Sequence, residues 1–128
     1  MNLLDENIRD DQRTLLRKWR IPFRQVGKEI SRSGIEDEDL IPLLHRLHRA
    51  TLFTQDQDFA RQELAHDAYG LVYLEVRSKE VAEFIRRLLR HPTFDAQSKR
   101  MGLVARVHKE GVRFWRKGSS GIQTADWG

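Results

Sequence analysis

The 128-residue chain contains no cysteine, only three prolines, and no long apolar run. The missing thiols exclude disulfides, thiolate zinc sites and a cysteine nucleophile, and they fit a cytoplasmic protein. No apolar stretch approaches the roughly 20 residues that a membrane-spanning helix needs. The first eleven residues hold few apolar side chains and then four acids, which is not the pattern of a signal peptide. No Pro/Gly/Ser-rich linker and no internal repeat divides the chain. Its length therefore suggests one domain over residues 1–117, with a flexible tail at 118–128 that starts at Gly118-Ser119-Ser120-Gly121.

What is present is charge. Charged residues make up 33% of the chain against 39% hydrophobic, and the mean hydropathy is −0.65. That leaves a modest core and a water-soluble surface. The net charge of +4 hides a division. Residues 1–76 carry 11 Lys and Arg against 14 Asp and Glu, whereas residues 77–117 carry 12 against 4. An acidic front and a basic back suggest a polyanion held beside a carboxylate site, although a basic stretch is also what a merely solvated face looks like.

The hydrophobic pattern alternates between strand and helix. Met1 to Leu4 is a short apolar strand stopped by Asp5-Glu6-Asn7. Residues 10–20 place Leu15, Leu16 and Trp19 at helical spacing, with Asp10 and Asp11 complementing the helix dipole in the first turn. Ile21-Pro22 ends that helix, and 23–26 form a second strand. Asp37 starts a helix running to about Arg49, with Pro42 in its early turns. Residues 51–54 are a third strand, and 59–66 a short helix. Residues 71–76 are a fourth strand, and Ser78 caps a helix over 79–90. Residues 103–107 and 112–115 alternate around Lys109-Glu110-Gly111 as a terminal β-hairpin. The order predicts an α/β protein with a mainly parallel sheet, right-handed crossovers and a C-terminal hairpin. In such sheets ligands bind beyond the carboxyl ends of the strands.

Two of these strands end in acids: Asp5 on the first, Asp56 and Asp58 on the third. Carboxylates gathered at neighbouring strand ends repel one another unless a cation lies between them. All-oxygen ligands select a hard ion, Mg²⁺ or Mn²⁺. Asp5, Asp56 and Asp58 are the candidate ligands. Asp37 is a fourth candidate acid that doubles as a helix cap. Each acid taken singly also reads as an ordinary cap or turn residue.

Three segments carry a family resemblance. Leu3-Leu4-Asp5-Glu6-Asn7 resembles the opening of PIN-like domains. Gly34-x-x-Asp37-Glu38-Asp39-Leu40 resembles the start of an intervening helix in those domains. Thr54-x-Asp56-x-Asp58-Phe59 resembles the acidic end of a later strand. The likeness covers about residues 2–90 and is greatest to a compact bacterial PIN-like family related to the ribonucleases of toxin–antitoxin pairs. It implies a Rossmann-like three-layer fold and a Mg²⁺- or Mn²⁺-dependent endoribonuclease. The implied catalytic acids are Asp5, Asp56 and Asp58, with Asp37 or its neighbour Glu38 as the acid on the helix. The implied partners are RNA, an antitoxin protein and a second copy of the chain. A non-catalytic RNA- or protein-binding version of the same fold is the alternative. In a third reading, a phosphoacceptor receiver domain, Asp56 is phosphorylated and Lys109 approaches it.

The basic half supplies candidate nucleic-acid contacts at Arg86, Arg87, Arg90, Lys99, Arg100, Arg113 and Arg116, since such side chains neutralise phosphates without reading sequence. Trp115 and Trp127 are candidates for base stacking. His45 and His48 are spaced as a helical metal pair but lack a third ligand. Gly27 and Gly34 form no nucleotide-binding fingerprint, and the serines form no nucleophile motif.

Overall fold

The structure, a computed structural model, describes residues 1–27 and 37–128, together with the backbone but not the side chain of Asp37. The predicted alternation is present. Strand β1 (Asn2–Leu4) leads to helix α1 (Asp10–Lys18) and strand β2 (Arg24–Gln25). Helix α2 (Asp37–Arg46) and strand β3 (Ala50–Thr54) follow, then strand β4 (Tyr69–Leu74) and helix α3 (Val81–Arg90). A short helix α4 (Gln97–Arg100) precedes strands β5 (Leu103–His108), β6 (Gly111–Arg116) and β7 (Gln123–Asp126).

These strands form one sheet in the order β2-β1-β3-β4-β5-β6-β7. The first five run parallel, and β6 and β7 close the sheet as an antiparallel meander. The order 2-1-3-4-5 is a doubly wound arrangement whose switch point falls between β1 and β3, unlike the 3-2-1-4-5 order of the Rossmann sheet. Side chains alternate between two cores. Leu4, Phe53, Val72, Leu74 and Ala105 pack with α1 and α3. Leu3, Leu52, Leu71 and Val104 pack with α2. Helices on both faces make three layers. Among the described residues no helix is long and apolar enough to cross a membrane.

Four expectations are corrected. The proposed helix over 59–66 is instead two 3₁₀ turns, Gln57–Phe59 and Gln62–Leu64. Its apolar anchors, Phe59 and Leu64, are five residues apart and do not share one helix face, yet both reach the α2-side core. Ser78 does not cap α3. It lies in a 3₁₀ turn, Ser78–Glu80, and the buried Gln12 of α1 accepts a hydrogen bond from the Ala82 amide at 2.9 Å. The tail is not loose throughout: β7 pairs with β6, and the Trp127 indole donates to the His108 carbonyl and lies 5.8 Å from the Phe84 ring.

The crossovers do not share one hand. Steps β2→β3 and β4→β5 go the same way across the sheet, but α2 and α3 lie on opposite faces. Connections of that kind have opposite hands. The β1→β2 step reverses direction and uses the α3 face, so its hand matches that of β2→β3. The β4→β5 connection is therefore the exception. Packing of α3 against Leu16, Leu4 and Phe53, with the Gln12 bond, holds it on that face.

Candidate functional site

Asp5 follows β1 directly, and its amide donates to the Phe53 carbonyl at 3.0 Å, so β1 and β3 stay zipped to the last residue. The Asp5 carboxylate is fixed on both oxygens. Oδ1 accepts from the Glu6 amide at 2.7 Å and Oδ2 from the Thr54 hydroxyl at 2.6 Å. The fully buried Thr54 hydroxyl in turn accepts from the Asp56 amide at 3.0 Å. One threonine thus ties the two strand ends together. Gln25, buried on β2, donates to the backbone carbonyls of Asp5 and Glu6 from the other side. Gln55 donates to the Leu74 and Val76 carbonyls, which anchors the end of β3 to β4. Glu6 lies against Gly27, where φ is +84° and a Cβ would come within 2.7 Å of Glu6 Oε2. Glycine is required there both for the backbone conformation and for the room.

This framework lines a pocket of about 430 Å³ with Asp5, Glu6, Asn7, Gln55, Asp56 and Ser78 among its walls. It opens at the β1/β3 switch point, where a doubly wound sheet presents its binding crevice. Asp5 and Asp56 are brought together as expected from the sequence. Asp58 is exposed and is not part of the pocket wall. Its amide donates to Asp56 Oδ1 at 2.9 Å, which makes Asp56 the cap of the 57–59 turn. The side chain of Asp37 lies outside the described residues. Among the described residues, no group of three or more His, Asp or Glu side chains converges as a ready-made metal cage. Two carboxylates still suit Mg²⁺, which keeps most of its waters and takes one or two carboxylates plus substrate phosphate.

The seven basic candidates do not form one surface. Arg86 and Arg87 both pair with Glu83, at 2.7 and 3.1 Å, and lie over the Trp19 and Phe84 rings. Burial pushes the Glu83 carboxyl up, but hydrogen bonds from Arg87 and Arg86 outweigh it and hold it below its usual value. Lys99 pairs with Asp95 at 2.8 Å, and Arg90 is exposed beside Trp127. Arg100 is corrected outright: it is buried, donating to the Thr51 hydroxyl and the Phe94 carbonyl, and burial lowers its pKa. Arg116 bends back to the Lys99 and Thr93 carbonyls. Arg113 alone of the seven stands exposed on the α2-side face of the sheet.

Three further placements bear on the sequence reading. His45 meets His66 at 4.4 Å between ring centroids, with Tyr69 beside both. Trp127 is packed, not free for stacking. Lys109 faces Glu80 at 3.7 Å and does not line the pocket of Asp5 and Asp56, where the receiver reading required it. Sequence reasoning passed over Thr54 and Gln55 as site residues. Their signal was their position in the Thr54-to-Phe59 motif, immediately before Asp56.

The fold and pocket define the chain as a three-layer α/β protein with a carboxylate crevice at its switch point. No family model, no curated protein and no solved structure matches it.

Proposed function

We propose that this protein is a Mg²⁺- or Mn²⁺-dependent ribonuclease of PIN-like type whose centre is the crevice holding Asp5 and Asp56. The observation that carries the reading is the Thr54 link, which presents two carboxylates from neighbouring parallel strands to one pocket. Asp5 and Asp56 are the residues that would hold the ion. When bound, it supplies positive charge to the scissile phosphate and lowers the pKa of the attacking water.

The chain's own groups do the rest. Both Asp5 oxygens already carry a hydrogen-bond donor, which fixes the carboxylate's orientation before substrate arrives. Asp56 uses Oδ1 to cap its turn, which holds that carboxylate in place as well. Glu6 lines the same pocket beside them. A toxin role with an antitoxin partner, a second copy of the chain and a cytoplasmic location belong to the same proposal and rest on the resemblance of the motifs.

The test is cleavage of single-stranded RNA with Mg²⁺ or Mn²⁺. Asp5→Asn should reduce metal-dependent cleavage at least about a hundredfold, as removal of a group central to transition-state charge does. Retained activity would overturn the assignment. The non-catalytic reading has one observation in its favour: Asp56 Oδ1 already accepts from the Asp58 amide as a turn cap. It predicts RNA binding with no cleavage by the wild-type protein.

A further inference from the structure

A row of directly paired residues crosses the sheet from the crevice. Thr54 pairs with Tyr73, Tyr73 with Arg106, Arg106 with Arg113, and Arg113 with Thr124. Directly opposite residues project to the same face. Asp5, bonded to Thr54, begins the row. At about 4.8 Å per strand, Arg113 is about 14 Å from Thr54 along it. The Arg106 guanidinium lies 5.5 Å from the Tyr73 ring, and its Nε is shielded from solvent with no hydrogen-bond acceptor. Neither Arg106 nor Arg113 has a carboxylate partner among the described residues, in contrast to Arg86, Arg87 and Lys99. Tyr73 also lines a cleft of about 650 Å³ with Glu75, Arg77, His108, Lys109 and Glu110. That cleft shares Gln55 and Ser78 with the acidic pocket, so the two are neighbours.

We propose that single-stranded RNA binds along the row Tyr73, Arg106 and Arg113, with a base against Tyr73 and phosphates on the two arginines, and runs from there to Asp5. The occupant rests on the nuclease reading, and the surface itself rests on charge and geometry. Unpaired arginines suit a polyanion. A tyrosine on a sheet face stacks an unpaired base of any identity and has no access to bases inside a duplex.

Binding is measured by fluorescence anisotropy in EDTA, so that cleavage plays no part. The probes are a labelled single-stranded RNA and a duplex of the same length. Arg106→Ala and Arg113→Ala should each reduce the slope of log affinity against log salt by about 0.7. Tyr73→Ala should weaken binding about tenfold, and Tyr73→Phe should stay near wild type. Arg113 is exposed, so its variant keeps the test open if Arg106→Ala fails to fold. An Arg113→Ala protein with wild-type affinity and salt slope overturns the proposal. Equal affinity for the duplex also overturns it. Poly-glutamate that binds as tightly as the RNA, with the same dependence on Arg113, assigns the surface to an acidic protein instead and overturns it too. Cleavage is scored separately on the same preparations. Binding along the row without cleavage removes the nuclease reading and leaves the surface. Cleavage with binding indifferent to Arg113 removes the surface and leaves the nuclease.

Discussion

The two faces of the sheet are finished differently. One is roofed by α1 and α3, with Trp127 packed beside them, and Arg86 and Arg87 on its surface are committed to Glu83 and to aromatic rings. The other carries α2 and the 57–64 turns and leaves Arg113 exposed on β6, with Arg106 beside it and, among the described residues, no carboxylate partner for either. Both faces contribute to the same excess of positive charge. Net charge alone therefore does not locate a polyanion surface. What matters is which cations have already spent their charge within the fold.

The largest expected effect is on the roofed face. Leu16→Ala removes a fully buried side chain between α1 and α3 and should cost about 2–5 kcal/mol in urea unfolding. Arg113→Ala on the other face should stay within about 0.5 kcal/mol. Similar losses at the two positions would break the comparison. Next is the hydrogen bond that joins the roof to itself. Gln12→Ala leaves the Ala82 amide buried without its partner and should cost about 1–3 kcal/mol. Trp127→Ala should cost about 1–2 kcal/mol, since the indole is only partly buried, and should raise hydrogen exchange in β7. No change in exchange would show that the tail is not docked.

The smallest effect concerns Glu83. Its carboxyl titrates lower in the folded protein than its ordinary value of 4.5. The stability it adds is therefore complete above that value and lost as pH falls through the lowered folded value. The group is largely solvent-screened, so Glu83→Gln should cost less than about 1 kcal/mol, and less in high salt. Thermal melts from pH 5 to 3 for wild type and variant should converge at the acid end.

Much of this architecture was legible in the residues. Apolar alternation and the acids after Leu4 and Thr54 placed the parallel strands and the crevice, because period and chain punctuation are local properties. The edge strand β7 was not legible, since Gln123–Asp126 is polar and its pairing with β6 is a tertiary event. The same holds for Gln12, 70 residues from the amide it caps. Arg100 looked like the other basic residues of its segment, and only burial against Thr51 and Phe94 separates it from them. The row from Thr54 to Arg113 could not be read because register between strands is set by packing, not by any one strand.

The most direct test of the central claim compares two aspartates in one assay of Mg²⁺- or Mn²⁺-dependent cleavage of single-stranded RNA. Asp5 lines the crevice and Asp58 lies outside its wall. The account predicts that Asp5→Asn abolishes metal-dependent cleavage while Asp58→Asn retains most of it. Full activity in Asp5→Asn, or no metal-dependent cleavage by the wild-type protein, would contradict it.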